Sequence, residues 1–426
     1  MHDFQYHGDQ LYCEEISIRA IAEQVGTPFY LYSLNTLENH FRAFDNAFSR
    51  ADHLICFSAK ANSNLAILRV FVRLGGGVDV VSGGELFRAM KAGAQPDKIV
   101  YSGVGKRPEE MEYALELPIL MFNVESSQEL VAIDRIAGKM GTKAPIALRV
   151  NPDVDPLTHP YVSTGLRKNK FGINIQRSVE EYQLASTLPN VKVIGVSCHI
   201  GSQLTDMSPF VDAVQRIKEL VQKLRAHDIP VRYVDLGGGL GITYHQEEPP
   251  HPREYAQSLM GEISGIDCTL ILEPGRVIVG NAGILVTQVL FTKEGGEKNF
   301  IIVDAAMNDL IRPSLYGSYQ RIQPVEQNHR PEIVADVVGP ICESGDFLAK
   351  ERKLPRAEPG DLLAVMSAGA YGFSMSSNYN SRPRAPEVLV AKDRFYIIRQ
   401  REDYDDLIKG EFIPDFLAAE EFVGRR

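Results

Sequence analysis

The sequence predicts an α/β fold: a (β/α)8 barrel of the TIM type with a second, all-β domain, sandwich-like or barrel-like, built from both termini. Two observations predict the barrel. From about residue 54 onward, eight short apolar runs recur with helix-like stretches between them: HLICFSAK, VDVVSGG, KIVYSG, ILMFNVE, IALRVNP, VIGVSCHIG, VRYVDLGGG and TLILEPG. Each run is continuous in Val, Ile and Leu instead of alternating with polar residues, the pattern of parallel strands buried on both faces. A third observation predicts the appendage. Past residue 280 the segments AGILVTQVLFTK, NFIIVDAA, EIVADVVGP, DLLAVMSAG and PEVLVAKDRFYIIRQ are β-rich, with Gly295-Gly296 and Lys392-Asp393 as hairpin turns. A doubly wound open sheet is the competing architecture.

The connectors carry helical periodicity and caps, such as Ser126 with Glu129 three residues later, ahead of LVAIDRIAGKM. The expected division is an N-terminal segment over residues 1–32 that joins the β domain, a barrel over 33–279, and a C-terminal β domain over 280–426.

Composition narrows the class of function. The formal net charge is −10, and no basic face interleaved with aromatics occurs, which argues against nucleic acid. No stretch approaches the run of about eighteen apolar residues that a bilayer needs, and the N-terminus lacks a basic-then-apolar leader. Cysteines occur at 13, 56, 198, 268 and 342, an odd and scattered set with no C-x-x-C pair. Neither a disulfide framework nor a metal site is suggested, and a reducing, cytoplasmic setting is expected.

The polar residues that end the eight runs are Lys60, Ser82, Ser102, Asn123, Asn151, His199, Gly237 to Gly239, and Glu273. In a barrel they ring one mouth, where active sites of this fold are built. Polar strand ends also simply meet solvent, but solvent does not ask for a lysine, a histidine, a triglycine and a glutamate together. Of the two glycine triplets, the one in LGGGVDVVS precedes its strand and reads as a turn at the barrel's bottom. The other, Gly237, Gly238 and Gly239, follows strand seven at the mouth. With Gly275 and Arg276 after strand eight it can cradle a phosphate. Lys60 is either a surface lysine just past its strand or the amine of a Schiff base to a carbonyl cofactor. Glu273 can complement the ring nitrogen of such a cofactor. His199 can pack flat on the ring or be structural.

Two further sites lie in the β domain. Arg312 and Tyr316, in IRPSLY, are four apart and share one face of a helical turn, which is either an ordinary surface turn or part of a binding site. Cys342 lies beside Glu343 in the glycine-bounded loop GPICESGD, where a nucleophile, a metal ligand, a proton carrier or a small apolar residue are all open readings. The other four cysteines read as small buried apolar residues.

The motifs FSAKAN, VVSGGEL, CHIGSQ, DLGGG, EPGR, CESGD and AGAYG, in this order between about residues 25 and 390, resemble those of the fold-type III pyridoxal-phosphate decarboxylases. One departure is Phe57-Ser58, where the family's lysine motif often reads Tyr-Ala. The resemblance implies a lyase with pyridoxal 5'-phosphate as cofactor, carried by Lys60. It implies His199 on the ring face, Glu273 at the ring nitrogen, and Ser202, Gly237, Gly238, Gly239, Gly275, Arg276 and Tyr371 around the phosphate. It implies a homodimer with shared active sites, in which Cys342 is the acid that reprotonates the α-carbon in the partner's barrel mouth. Lys60, His199 and Cys342 are then the catalytic residues. The substrate it implies is meso-diaminopimelate, decarboxylated to L-lysine and CO2, the last step of lysine biosynthesis. Arg276, Arg312, Tyr316 and Tyr371 would bind its distal carboxylate end and Glu343 its ammonium. The competing functions are decarboxylation of an ornithine-type or arginine-type substrate, racemisation on a related fold, and non-catalytic binding of the cofactor by a regulator.

Overall fold

The computed structural model describes residues 2–155, 170–296, 298–327 and 329–417. All eight runs are strands: His53–Ser58, Gly77–Val80, Ile99–Tyr101, Met121–Val124, Ala144–Asn151, Val191–Ser197, Tyr233–Asp235 and Thr269–Leu272. Each pairs in parallel with its successor. The eighth returns to the first, Leu270 to Leu272 against His53 to Ile55, so the sheet closes and the open-sheet alternative is excluded. Helices alternate with the strands and cover the outside, as continuous apolar strands require.

Local signals explain the helix starts. Ser126 caps the helix Ser127–Lys139 by accepting the Glu129 amide at 3.2 Å. The Glu129 carboxylate does not turn back to complete the box. It accepts from the Glu125 amide at 3.0 Å and from Lys106 Nζ at 2.6 Å. Lys106 is fully buried and donates to the Gly103 and Asn123 carbonyls as well, so a full set of acceptors compensates its loss of water.

The second domain is a sheet drawn from both ends of the chain. Phe29–Ser33 lies between Gly283–Glu294, antiparallel, and Glu387–Ala391, parallel. Both expected hairpins form, Gly283–Glu294 with Asn299–Val303 and Glu387–Ala391 with Arg394–Arg399. A small three-stranded sheet over Phe4–His7, Gln10–Cys13 and Ile16–Ser17 is tied on by the Leu11 amide, which donates to the Val325 carbonyl at 2.8 Å. Among the described residues no helix is long and apolar enough to cross a membrane.

The sheet domain grips the barrel at the segment that carries Lys60. The Tyr371 amide donates to the Ala61 carbonyl at 2.8 Å, and Asn62 Nδ2 donates to the Gly369 carbonyl at 3.2 Å. Glu387, fully buried, accepts from Tyr32 Oη at 2.9 Å, Asn64 Nδ2 at 2.8 Å and Arg399 Nε at 2.8 Å. A buried carboxylate so satisfied is costly to remove, because its partners are then stranded. Glu387→Ala is expected to lower the unfolding free energy by about 3 kcal/mol, read as a drop in the thermal unfolding midpoint.

Candidate active site

Lys60 follows the first strand in a short turn, Ala59–Ala61, and opens into a cavity of about 260 Å³. The cavity is lined by Lys60, His199, Ser202, Gly239, Glu273, Gly275, Arg276, Arg312, Tyr316 and Tyr371, so ten of the expected residues meet at one place. A second cavity of about 420 Å³ shares Lys60, His199 and Glu273 and continues towards Ser102 and Arg149. The barrel supplies most of these groups from the C-terminal ends of strands one, six, seven and eight. Arg312, Tyr316 and Tyr371 reach in from the sheet domain.

Lys60 Nζ donates to Asp79 Oδ2 at 2.7 Å. Asp79 lies inside the second strand and is fully buried, and the same oxygen accepts from Ser58 Oγ at 2.6 Å. Burial pulls the Lys60 ammonium's pKa down, but the facing carboxylate of Asp79 outweighs it, and the net shift is upward. Glu273 moves the other way from an ordinary carboxylate. Burial, and then the charges of Asp235 and Asp79, push its pKa well above the usual range. Asp235 accepts from Asn123 Nδ2 at 2.7 Å and from the Gly237 amide at 2.9 Å, whereas Glu273 has two long contacts of 3.4 Å, from Ser102 and Asn123. The proton of this acidic pair therefore rests on Glu273.

His199 Nδ1 accepts from the Gly238 amide at 3.1 Å, which places the ring proton on Nε2. Burial, with Arg149 and Lys60 nearby, lowers its pKa well below the ordinary value, and the imidazole is neutral. The triglycine is sterically compelled. A Cβ on Gly238 would lie 2.2 Å from the Glu273 carbonyl, and one on Gly239, at φ +117°, would lie 2.5 Å from the Gly201 carbonyl. Since Asp235 and His199 hold the amides of Gly237 and Gly238, it is Gly239 that borders the cavity.

The side of the cavity that carries the arginines is cationic and under-satisfied. Arg276 donates to Ser202 Oγ at 3.1 Å and to Tyr244 Oη at 3.0 Å, while its Nε has no partner among the described residues. Arg312 is buried with its Nε likewise unpartnered, and no carboxylate pairs with it among the described residues. Two buried guanidiniums with hydrogen-bond capacity to spare fit a ligand bearing anionic groups. Together with the amine of Lys60 and the protonated Glu273, the donor set suits a phosphorylated carbonyl compound with a basic ring nitrogen.

Cys342 and Glu343 are not among the residues lining either cavity. Both are exposed, on a loop whose Cys342 amide donates to Asn380 Oδ1 at 2.9 Å. Cys13, Cys56 and Cys198 are buried and Cys268 is partly so. The sequence reading passed over Asp79, Asp235, Ser58 and Tyr244. A signal for the first was present: an aspartate inside the apolar run VDVVSGG has to find a cation or donor once buried.

A closed barrel with a lysine, a proton-bearing carboxyl and two buried guanidiniums with donors to spare at its mouth, capped by a sheet from both termini, defines the class of pyridoxal-dependent decarboxylases. Residues 34–280 match the family described as "Pyridoxal-dependent decarboxylase, pyridoxal binding domain". Similarity along the whole chain is narrower. A diaminopimelate decarboxylase of Vibrio cholerae is 53% identical over 406 residues, 95% of this chain and 97% of that one. The Helicobacter pylori diaminopimelate decarboxylase solved in complex with L-lysine superposes with a TM-score of 0.89 at 44% identity, covering 92% of this chain and 98% of that one. The corresponding enzyme from M. jannaschii, also in complex with L-lysine, gives a TM-score of 0.93 at 37% identity over 97% of this chain and 98% of that one. The chain belongs to the diaminopimelate decarboxylases.

If Asp79 is what holds the proton on Lys60, Asp79→Asn should move Lys60 deprotonation to lower pH. Reductive alkylation of Lys60 in the cofactor-free protein, followed by peptide mass mapping across a pH series, is expected to show its midpoint shifted downward. An unmoved midpoint would contradict the assignment.

Proposed function

We propose that this chain catalyses the decarboxylation of meso-diaminopimelate to L-lysine and CO2 with pyridoxal 5'-phosphate, in the cytoplasm, as a homodimer. The observation that carries the substrate reading is Arg312, a buried guanidinium at the cavity with no carboxylate partner among the described residues. Diaminopimelate brings a second carboxylate to meet it. Ornithine and arginine end in a cation and would be repelled by Arg312 and Arg276.

Bound in the cavity, the cofactor supplies an electron sink for the pair released when CO2 leaves. Lys60 is the amine that would hold it and would give it up to the substrate amine. Asp79 keeps the freed lysine protonated at neutral pH. The neutral His199 would pack against the cofactor's ring, and Glu273 would place its proton towards the ring nitrogen. Ser202, Gly239, Gly275, Arg276 and Tyr371 hold the phosphate, with Gly237 and Gly238 shaping the turn that brings Gly239 there. Arg276, Arg312, Tyr316 and Tyr371 bind the distal carboxylate, and Glu343 the distal ammonium.

Cys342 returns the proton to the α-carbon, acting from the partner subunit. Its exposure on its own chain, away from both cavities, supports this reading. So does the C-terminal segment, where Tyr404, Ile408, Phe412, Ile413, Phe416 and Leu417 are each more than half exposed, a surface that a second copy would cover. We further propose that the chain divides functionally at 32/33 and 279/280, into the N-terminal segment, the cofactor-binding barrel and the β domain with its substrate and proton-donor loops. The family match over residues 34–280 supports these limits.

The direct test offers meso-diaminopimelate, ornithine and arginine separately to the cofactor-loaded protein and measures CO2. Release from diaminopimelate is expected, and preference for ornithine would overturn the substrate. Cofactor absorbance without CO2 from any of them would mark a binding protein. Cys342→Ala should retain the absorbance yet lose turnover by on the order of a hundredfold or more. Mixing the inactive Lys60→Ala and Cys342→Ala chains under subunit exchange should restore about a quarter of the activity, since half of the dimers are then mixed and carry one intact site.

A further inference from the structure

Tyr244 is not among the residues that line the 260 Å³ cavity, yet three observations place it beside both of the cavity's guanidiniums. Its hydroxyl accepts from Arg276 Nη1 at 3.0 Å. The Cζ atoms of Arg276 and Arg312 each lie 5.7 Å from the centre of its ring. The tyrosine is buried, and so are both arginines. Burial, and then the nearby charge of Arg276, disfavour the Arg312 cation, while Tyr244, Tyr371 and Tyr316 favour it. Two like charges side by side out of water repel strongly, and an aromatic ring that presents electron density to both reduces that repulsion. Tyr371 also flanks both guanidiniums, at 5.2 and 5.8 Å, but comes from the sheet domain, so tyrosines of both domains bracket the pair.

The segment that carries Tyr244 is built to hold it still. Glu247 accepts from the Tyr244 amide at 2.9 Å, and Gln203 and Ile242 exchange two hydrogen bonds, of 2.6 and 3.1 Å, just ahead of it. The next residue, His245, stacks on Tyr319 at 4.0 Å, whose ring also meets Arg352 at 3.7 Å. The loop after barrel strand seven is thereby pinned to the sheet domain.

Building on the diaminopimelate reading above, we propose that Tyr244 is a positioning residue for the distal carboxylate: it separates Arg276 from Arg312 and aims both guanidiniums at that group. It makes the anion clamp selective for ligands that carry a distal carboxylate and contributes little to those that lack one. L-Lysine keeps the distal carboxylate, and 1,5-diaminopentane has none.

The test compares holoenzyme carrying Tyr244 with Tyr244→Phe, which keeps the ring and removes the acceptor. A second variant, Tyr244→Leu, removes both. Tyr244→Phe is expected to raise KM for meso-diaminopimelate and Ki for L-lysine by about tenfold, the loss of one hydrogen bond to a charged group. It should leave Ki for 1,5-diaminopentane within twofold and change kcat much less than KM. Tyr244→Leu should widen the lysine effect further. Cofactor absorbance and the unfolding midpoint report folding separately. Unchanged lysine affinity, or equal weakening of lysine and diaminopentane, would overturn the positioning role. Absence of CO2 from diaminopimelate in the unmutated enzyme would instead overturn the substrate reading on which it rests.

Discussion

Asp79, Asp235 and Glu273 are three buried carboxyl groups within one barrel mouth, with the ammonium of Lys60 set among them. Three buried negative charges against one positive charge are not tolerated at low dielectric. The site resolves the conflict by position. Asp79 faces the Lys60 ammonium, Asp235 is held by Asn123 and the Gly237 amide, and Glu273, with the poorest donors, takes up a proton. Each carboxyl thereby takes a different part: one faces the Lys60 ammonium, one holds the turn at Gly237, and one carries the proton. The neutral His199 follows from the same balance, since another cation beside Lys60 and Arg149 would be unfavourable.

The opposite wall carries the complementary imbalance. Arg276 and Arg312 are positive, buried and surrounded by tyrosines instead of carboxylates. One half of the site is thus prepared for a basic, electron-poor ring and the other for anions. That asymmetry orients any ligand that carries both features. It also depends on two domains meeting correctly, because the arginines come from different ones. The buried Glu387 and the contact between the Tyr371 amide and the Ala61 carbonyl fix their relation within hydrogen-bond tolerance.

The sequence by itself determined the barrel, its eight strands, the sheet beyond residue 280 and, by position, Lys60, His199, Gly239, Glu273, Gly275 and Arg276 of the cavity lining; Ser202 and Tyr371 came only from the resemblance to a known family. It could do so because strand period, turn chemistry and position at a strand's end are local properties, and a parallel barrel turns the last of these into a spatial one. Tertiary structure alone decided the rest. That Asp79 meets Lys60, that the proton of the acidic pair rests on Glu273, and that Tyr244 stands beside two arginines depend on distances between side chains 19 to 150 positions apart. Nothing in local periodicity encodes these. Glu129 makes the same point in small: its spacing from Ser126 reads as a capping box, and packing sent its carboxylate to Lys106 instead, since a buried ammonium needs an anion more than a helix end needs a second cap.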